Sequence, residues 1–583
     1  MAVEKLIVDH IDTWTTALQT RSTAGRGSSG KIDLYGIKKL RELILELAVR
    51  GKLVPQDSND EPASVLLKRI AAEKAELVKQ GKIKKPKPLP EISEEEKPFE
   101  LPAGWEWARL PEITHYQVGK TPSTKDSSFW SSHENGIPWV SISDLVQNGI
   151  VEITSKHISK KAKEDIFKYP PVPAGTILMS FKLTVGKTSL LNIDAYHNEA
   201  IISIYEMNGL NRNYLFHLLP LISQLGNTKQ AIMGNTLNSE SLSMLVVPVP
   251  STEEQKRIVK KYEELMALCD QLEQYSLTSL DAHQQLVETL LTTLANSQNA
   301  DELAENWARI SEHFDTLFTT EASIEALKQT ILQLAVMGKL VPQDPSDEPA
   351  SELLKRIAQE KAQLVKDGKI KKQKPLPSIS DEEKPFELPN GWEWSRLDHV
   401  ASKITDGDHK TPPRIAEGYK LLSAKNIRDG FLDYENCDYI SESSYIKSRE
   451  RCLPEKGDLL IVSVGGTIGR SSLITGDSEF ALVRSVAIIK PLIIEPDFLK
   501  IAMDSQLLQS MIHSHKRGGA QPCLYLGEIS KFLFPVPPLK EQIRIVKTVN
   551  IFMGILETLT LAFKSAQKTQ LHLADALTDA AIN

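Results

Sequence analysis

The chain states one sequence twice. Residues 51–110 read GKLVPQDSNDEPASVLLKRI…KPFELPAGWEWARL and residues 338–397 read GKLVPQDPSDEPASELLKRI…KPFELPNGWEWSRL, identical at 49 of 60 positions without a gap. At the same offset of 287 residues, Val249-Pro250 and the stretch 253–260 reappear as Val536-Pro537 and 540–547. Between these matched pieces, residues 111–246 and 398–533 barely resemble each other. Duplication dictates two units that fold alike. A constant frame around divergent inserts gives the frame a fixed duty and the inserts a variable one.

The frame is helical. Residues 35–50 and 322–337 are amphipathic at helical spacing and end at Gly51 and Gly338, the usual residue past a helix C-terminus. Asp60 to Ser64 and Asp347 to Ser351 open a second helix, carrying LLKRIA in both copies, that runs to Gly81 or Gly368. The run GKIKKPKPLP at 81–90, followed by EISEEEKPFE, predicts an extended linker, either a solvated tether or an arm that touches DNA. After each insert, about 252–294 and 539–581 contain no proline and one glycine, Gly554. Apolar residues there alternate by four and three: Ile258, Tyr262, Leu265, Cys269, Leu272 and Ile545, Val549, Phe552, Leu556, Leu559. That is a coiled-coil seam, and about 40 residues of helix make a rod of roughly 60 Å. Two rods related by a repeat pair most simply with each other or with the leading helices, antiparallel, around an internal pseudo-twofold. The N-terminal helix is expected near the C-terminal one.

The inserts are mixed. Gly136 to Ile142, Gly175 to Ser180 and Gly457 to Val464 read as short strands bounded by Gly, Asp and Ser. Helices are expected at 214–225, kinked at Pro220, and at 498–513. Each insert is then an α/β module around one small mixed sheet.

Composition narrows the function. The chain has 583 residues, 41% of them hydrophobic and 25% charged, with four cysteines too scattered for a disulfide framework or a zinc site. No uninterrupted apolar run approaches the roughly 20 residues that cross a bilayer, and the N-terminus does not read as a signal peptide, so a cytoplasmic protein without a membrane role is expected. The net charge is −7, yet each insert is neutral overall, so the acidic excess lies in the connectors. A phosphate-binding face must then be a local cluster or be completed by a partner.

Catalytic motifs are missing. Gly186-Lys187-Thr188 suggests a phosphate loop, but Phe181 occupies the position of the required first glycine. The glycines of 463–470 lack the acid that would bind a ribose. The Pro-Pro pairs stand in KYPPV, KTPPR and VPPLK, none of which is an amine-methylation motif. His513 and His515, beside Lys516 and Arg517, have no carboxylate or cysteine at metal spacing and read as a basic loop.

Binding signals do recur. In the first insert, Gly-marked loops carry Lys120, Thr121, Ser123 and Lys125, then Lys182, Thr184 and Lys187. The second carries Lys410 and Thr411, Lys425 and Asn426, Thr467 and Arg470, then Lys516, Arg517 and Gln521. Cations beside Thr, Ser and Gly amides suit phosphate oxygens, and Asn, Gln and Arg suit base edges. A duplicated coiled-coil adaptor binding protein or glycan would also account for acidic helices and neutral inserts. A stand-alone methyltransferase would need a cofactor pocket that the motifs do not supply.

The whole array, GKLVPQ…DEPAS, KPFELPxGWEW, the insert, (V/F)PVPxxxEQxRIV and a long helix, given twice, resembles the specificity subunit of type I restriction and modification systems. The resemblance implies an α+β fold in which two α/β target recognition domains are joined by two long antiparallel coiled-coil helices. It implies no catalysis by this chain and no cofactor of its own. Each domain would read half of a split, asymmetric double-stranded DNA sequence, the helices setting the gap. The partners implied are two modification subunits, which methylate adenine with S-adenosylmethionine, and two restriction subunits, which use ATP and Mg2+. The chain then divides into 1–102 (helical region and linker), 103–250 (first recognition domain), 251–337 (central helices), 338–388 (repeated linker region), 389–537 (second recognition domain) and 538–583 (C-terminal helix). The segments 120–123, 184–187, 410–412, 467–470 and 518–521 fall in stretches typical of such domains.

Overall fold

The computed structural model describes residues 3–21, 31–132, 135–182, 184–225, 229–231, 234–237, 239–476, 479–519 and 522–582. The chain forms two units. One holds the described residues up to Leu277 together with those from Gln567 onward, and the other the described residues of Thr278–Ala566. Both mix helices with small sheets, so the class is α+β.

The frame follows its sequence pattern. The leading helices are Tyr35–Val49 and Glu321–Val336, the second helices Ala63–Lys79 and Ala350–Lys366, and the long helices Thr252–Ala295 and Leu539–Ile582. Gly51 ends its helix with φ +67°, and a Cβ there would lie 2.5 Å from Pro102 Cγ and 2.9 Å from the Trp105 ring. Only glycine permits both the left-handed turn and the close seat of the tryptophan motif. Gly338 repeats this with φ +70° and Pro389 Cγ at 2.5 Å. The linkers after the second helices lack regular structure except for a short turn at Glu94–Glu96 or Asp381–Glu383.

The duplicated residues make duplicated bonds. Trp105 Nε1 donates to Glu254 Oε2 at 3.0 Å and Gln56 Nε2 to Glu254 Oε1 at 2.6 Å. Trp392 and Gln343 do the same to Glu541 at 3.0 and 3.1 Å. Arg257 pairs with Asp60 at 2.6 Å and Arg544 with Asp347 at 2.7 Å. Gln255 accepts from the Asn211 amide and donates to the Pro250 carbonyl, while Gln542 accepts from Glu495 and donates to Pro537. The Glu-Gln-x-Arg signature thus ties the start of each long helix to the linker tryptophan, to the second helix's acidic entry and to the insert.

The seam residues Ile258, Tyr262, Leu265, Cys269 and Leu272 are buried, as are Ile545, Val549 and Leu556, with Phe552 and Leu559 partly so. Within the first unit Arg41 reaches Asp270 at 2.6 Å and Gln56 reaches Glu254, so the leading helix and the long helix run in opposite senses. Glu321 to Lys564 and Gln343 to Glu541 repeat this in the second unit. The tail of the other long helix completes each unit: Lys52 Nζ donates to the Ile582 carbonyl at 2.6 Å, and Lys339 Nζ to that of Ala295 at 2.8 Å. Burying one side of the rods against leading helices, rather than exposing them as free spacers, is what the seam provides.

Each insert is closed by an antiparallel clasp, Glu106–Arg109 on Val246–Val249 and Glu393–Arg396 on Leu533–Val536. Inside each, among the described residues, lie two small sheets rather than the one expected from the sequence, and the first insert adds a two-stranded ribbon, Lys229–Ala231 on Gly234–Thr236. The first insert orders Thr114–Val118, Ile201–Glu206, Ile177–Ser180, Thr188–Leu191 and Gly149–Val151 in one sheet, and Tyr196–His197, Ile137–Val140, Lys156–Ile158 and Trp130–Ser131 in the other. The second insert orders Ala401–Asp406, Val486–Pro491, Leu459–Val462 and Ser471–Leu473, then Asp438–Ile440, Tyr419–Leu422 and Phe480–Leu482. Corresponding strands have the same neighbours, and in both inserts the strand before the last crossing (Tyr196–His197, Phe480–Leu482) runs parallel to its partner. Two divergent sequences therefore build one topology.

One further expectation is corrected. The helix expected at 498–513 is two, Pro496–Asp504 and Gln506–His515, parted by Ser505, whose extended backbone (ψ 154°) breaks the helical ladder and whose hydroxyl bonds back to Ala502. Pro220 lies within the helix Arg212–Leu225. Among the described residues one helix, Leu539–Ile582, is long and apolar enough to cross a membrane by length and composition, with a mean hydropathy of 1.5 over 18 residues. An uninterrupted apolar run is a stricter measure than an average, because isolated charges and threonines interrupt the run without lowering the mean far.

Candidate nucleic-acid interface

In the second insert, residues 483–486 form a hub. Gly407 donates to Val486 at 3.3 Å, Asp408 to Leu482 at 2.8 Å, and Arg484 back to Asp408 at 3.0 Å, which fixes the loop holding Lys410 and Thr411. Val483 donates to Leu422, and the Ala424 amide to Ser485 Oγ at 3.2 Å, which fixes the loop holding Lys425. Ser463 donates to Ser485 at 2.9 Å and accepts from Leu524 at 2.8 Å, and Gly465 donates to Pro522 at 3.0 Å. The loop 463–470 and residues 522–524 are thereby tied to the same point. Four stretches separated by up to about a hundred residues converge on one short turn, as loops on a rigid sheet scaffold do at binding sites.

The first insert repeats the bonds with other side chains. Gly119 donates to Ile201 at 3.1 Å, Lys120 to His197 at 2.9 Å, Asn198 to Val140 at 2.9 Å, Phe181 to Ala200 at 2.9 Å, and Leu237 to Phe181 at 2.9 Å. Here 198–201 is the hub. A Cβ on Gly119 would meet the His197 carbonyl at 2.1 Å, as one on Gly407 would meet that of Leu482 at 2.1 Å. The hairpin loops also match. Gly186 and Gly469, with φ +81° and +92°, donate to Ser180 and Val462, and Ser180 and Val462 donate to Lys187 and Arg470. Lys187 and Arg470 therefore occupy one register position.

The candidate side chains are placed unequally. Lys125, Lys182, Thr184, Lys410, Thr411, Thr467 and Lys516 are exposed, as is Ser123, whose carbonyl accepts from Trp130. Lys120 is exposed too, with its ammonium on the Ile166 carbonyl at 2.7 Å and over the Tyr169 ring. Thr121 Oγ1 accepts from Asn198 Nδ2 at 3.1 Å, so it secures its loop to the hub. Lys425 pairs with Asp438 at 3.1 Å, Arg470 with Asp429 at 3.5 Å and Arg517 with Glu528 at 3.5 Å. Such weak surface pairs exchange readily for phosphate.

Asn426 is corrected. It is fully buried, its Oδ1 accepts from Ser423 and its Nδ2 donates to the Asp433 and Asn436 carbonyls, so it holds a turn and has nothing left for a base. Gln521 lies outside the described residues. The ring Nδ1 atoms of His513 and His515 bond to carbonyls of their own helix, Gln509 and Met511, at 2.7 and 2.8 Å.

Three side chains escaped the sequence reading. Glu199 and Arg484 stand exposed in the two hubs. Arg451, at the end of helix Glu442–Arg451, grips Asp406 Oδ1 at 2.6 Å and His409 Nε2 at 2.6 Å and so braces the Lys410 loop from behind. Beneath the first hub, burial pushes the pKa of His197 down to about 4, so the ring is neutral there. Burial also lifts the Tyr169 hydroxyl under Lys120 to about 12 and the Cys452 thiol to about 11. The arrangement offers exposed cations and amides on glycine-marked loops, suited to holding a polyanion.

The model of the type I restriction modification DNA specificity domain matches this chain twice, at residues 102–281 and 389–562. The chain belongs to the family of type I specificity subunits. It is 50% identical over 610 residues to the type I restriction enzyme EcoAI specificity subunit of Escherichia coli, and 46% identical over 604 residues to the EcoEI specificity subunit of the same organism, each covering 100% of both chains. A crystal structure of the HsdS subunit from Thermoanaerobacter tengcongensis aligns with 84% of this chain and 98% of its own, at 17% identity and a TM-score of 0.41. This specificity subunit is thus the DNA-recognition member of a restriction-modification complex, and it is not itself the enzyme. Both family matches begin beside the Gly-Trp-Glu-Trp motif and run into a long helix, so the frame residues that tie Trp105 to Glu254 belong to the family's domain.

Proposed function

We propose that residues 103–250 and 389–537 are two readers, each recognising one half of a split, asymmetric duplex sequence, through the loops that meet at 198–201 and 483–486. The observation that carries this reading is the identity of the hub bonds in two inserts whose sequences differ. A scaffold held constant while its loop residues change is what selection for different DNA sequences requires. Lys120, Ser123, Lys125, Lys182, Thr184, Lys187, Lys410, Thr411, Lys425, Thr467, Arg470, Lys516, Arg517 and Gln521 are proposed to face DNA, with Thr121 and Asn426 supporting loops.

The same reading assigns two modification subunits, using S-adenosylmethionine, and two restriction subunits, using ATP and Mg2+, to the complex, in the cytoplasm and without a cofactor on this chain. The neutral inserts bind phosphate weakly alone, so partners supply part of the electrostatic attraction. The test is gel shift and methyl transfer with the purified chain, alone and with its modification subunit. The pair is expected to methylate adenine at a defined sequence and the chain alone to methylate nothing; methyl transfer by the isolated chain, or transfer by the pair without sequence preference, would sink the reading.

A further inference from the structure

Superposing the hub bonds pairs the two inserts residue by residue. Asn198 corresponds to Val483, since each donates to the last residue of a neighbouring strand (Val140, Leu422) and accepts from the residue three further on (Ile201, Val486). Ala200 corresponds to Ser485, since each accepts from the residue that opens the hairpin loop (Phe181, Ser463). The residue between them is Glu199 in one insert and Arg484 in the other. Both are exposed, and among the described residues neither side chain has a hydrogen-bond or ion-pair partner. They project from the point on which the DNA-facing loops of each insert converge.

The charges at this shared position are opposite, and that decides between two duties. A phosphate contact kept at this position by both readers needs a hydrogen-bond donor in both, because the backbone of DNA is the same in both halves of any site. Glu199 cannot serve that purpose. A carboxylate in the middle of a polyanion-binding surface is tolerated where it accepts a hydrogen bond from a base, and the exposed amino group of cytosine N4 in the major groove is its natural donor. An arginine at the same place matches the O6 and N7 acceptors of guanine. Resting on the two-reader assignment, we propose that Glu199 and Arg484 are equivalent specificity-determining residues, Glu199 reading a cytosine in one half-site and Arg484 a guanine in the other.

The experiment maps methylated adenines genome-wide in cells expressing the complex of the full chain with its modification subunit, for wild type, Arg484→Ala, Arg484→Gln, Glu199→Ala and Glu199→Gln. Both side chains are unpaired and exposed, so the variants are expected to fold, and gel filtration with the modification subunit verifies assembly. Arg484→Ala is expected to relax one position of one half-site, lowering discrimination there about 5- to 150-fold. Arg484→Gln should move the preference at that position toward adenine, and the Glu199 variants should do the same to one position of the other half. An unchanged motif, changes in both halves from one substitution, or loss of methylation at all sites in an assembled complex would overturn the proposal. If the wild-type complex itself methylates no bipartite sequence, the two-reader assignment fails; a bipartite wild-type motif kept by every variant overturns only the roles of Glu199 and Arg484.

Discussion

The indole Nε1 of Trp105 donates to Glu254 Oε2 at 3.0 Å across 149 residues of sequence, and Trp392 binds Glu541 in the same way at the same distance. The first partner lies in the linker before an insert and the second at the start of the long helix after it. The bond locks the two ends of each recognition domain together, whatever sequence lies between. Glu254→Ala leaves the buried Trp105 donor without an acceptor and removes one of the two acceptors of Gln56, and should destabilise the first unit by about 2–4 kcal/mol. Denaturant unfolding measures this. Glu254→Gln keeps one acceptor oxygen and should cost less; equal losses for the two variants would show that the carboxylate's two bonds are not what matters.

His197 gives the first recognition domain an acid-sensitive group at a position where the second has none. Burial lowers its pKa from 6.5 to about 4, so the folded ring stays neutral while the unfolded one takes up a proton. The stability this holds is complete above pH 6.5 and is lost as pH falls from 6.5 toward 4, amounting to at most about 3 kcal/mol. Leu482 holds the equivalent place in the second insert. His197→Leu should therefore flatten the dependence of unfolding free energy on pH between 6.5 and 4, and an unchanged slope in the variant would assign the titration elsewhere.

Lys187 and Arg470 share one register position at the base of equivalent hairpin loops and share a positive charge. Two readers of different sequences can keep a common cation only for a common target. Lys187→Ala and Arg470→Ala should weaken binding to all sequences about equally and lower the slope of log affinity against log salt by about one unit each. Titrations of the complex on specific and random duplexes at several salt concentrations test this, and relaxed specificity at a single base would instead mark either residue as a base contact.

The frame was legible in the sequence and the interface only partly so. Helices betray themselves through a period of 3.6, and the duplication doubled the signal, so the bounds at Gly51 and Gly338 and the seam from Ile258 to Leu272 could be read directly. Fully buried strands such as Ile177–Ser180 and Leu459–Val462 also stand out as apolar runs. The hubs do not. Tyr196–His197 is two residues long, and its meaning depends on pairing with a strand more than fifty residues earlier. Glu199 and Arg484 are single charges in unrelated surroundings, and their separation of 285 residues departs from the frame's 287 because the inserts' loops differ in length. Only the three-dimensional bonds align them. Asn426 shows the converse: a polar residue beside a lysine resembles a base reader in sequence, while burial commits it to its own turn.

The central claim, that a constant frame carries two independent readers, is tested most directly by exchanging inserts and mapping methylated adenines across the genome. Replacing residues 111–246 with the corresponding insert of a related specificity subunit should change one half of the methylated sequence and leave the other half as it was, and replacing 398–533 should do the reverse. A single exchange that altered both halves together would contradict the account.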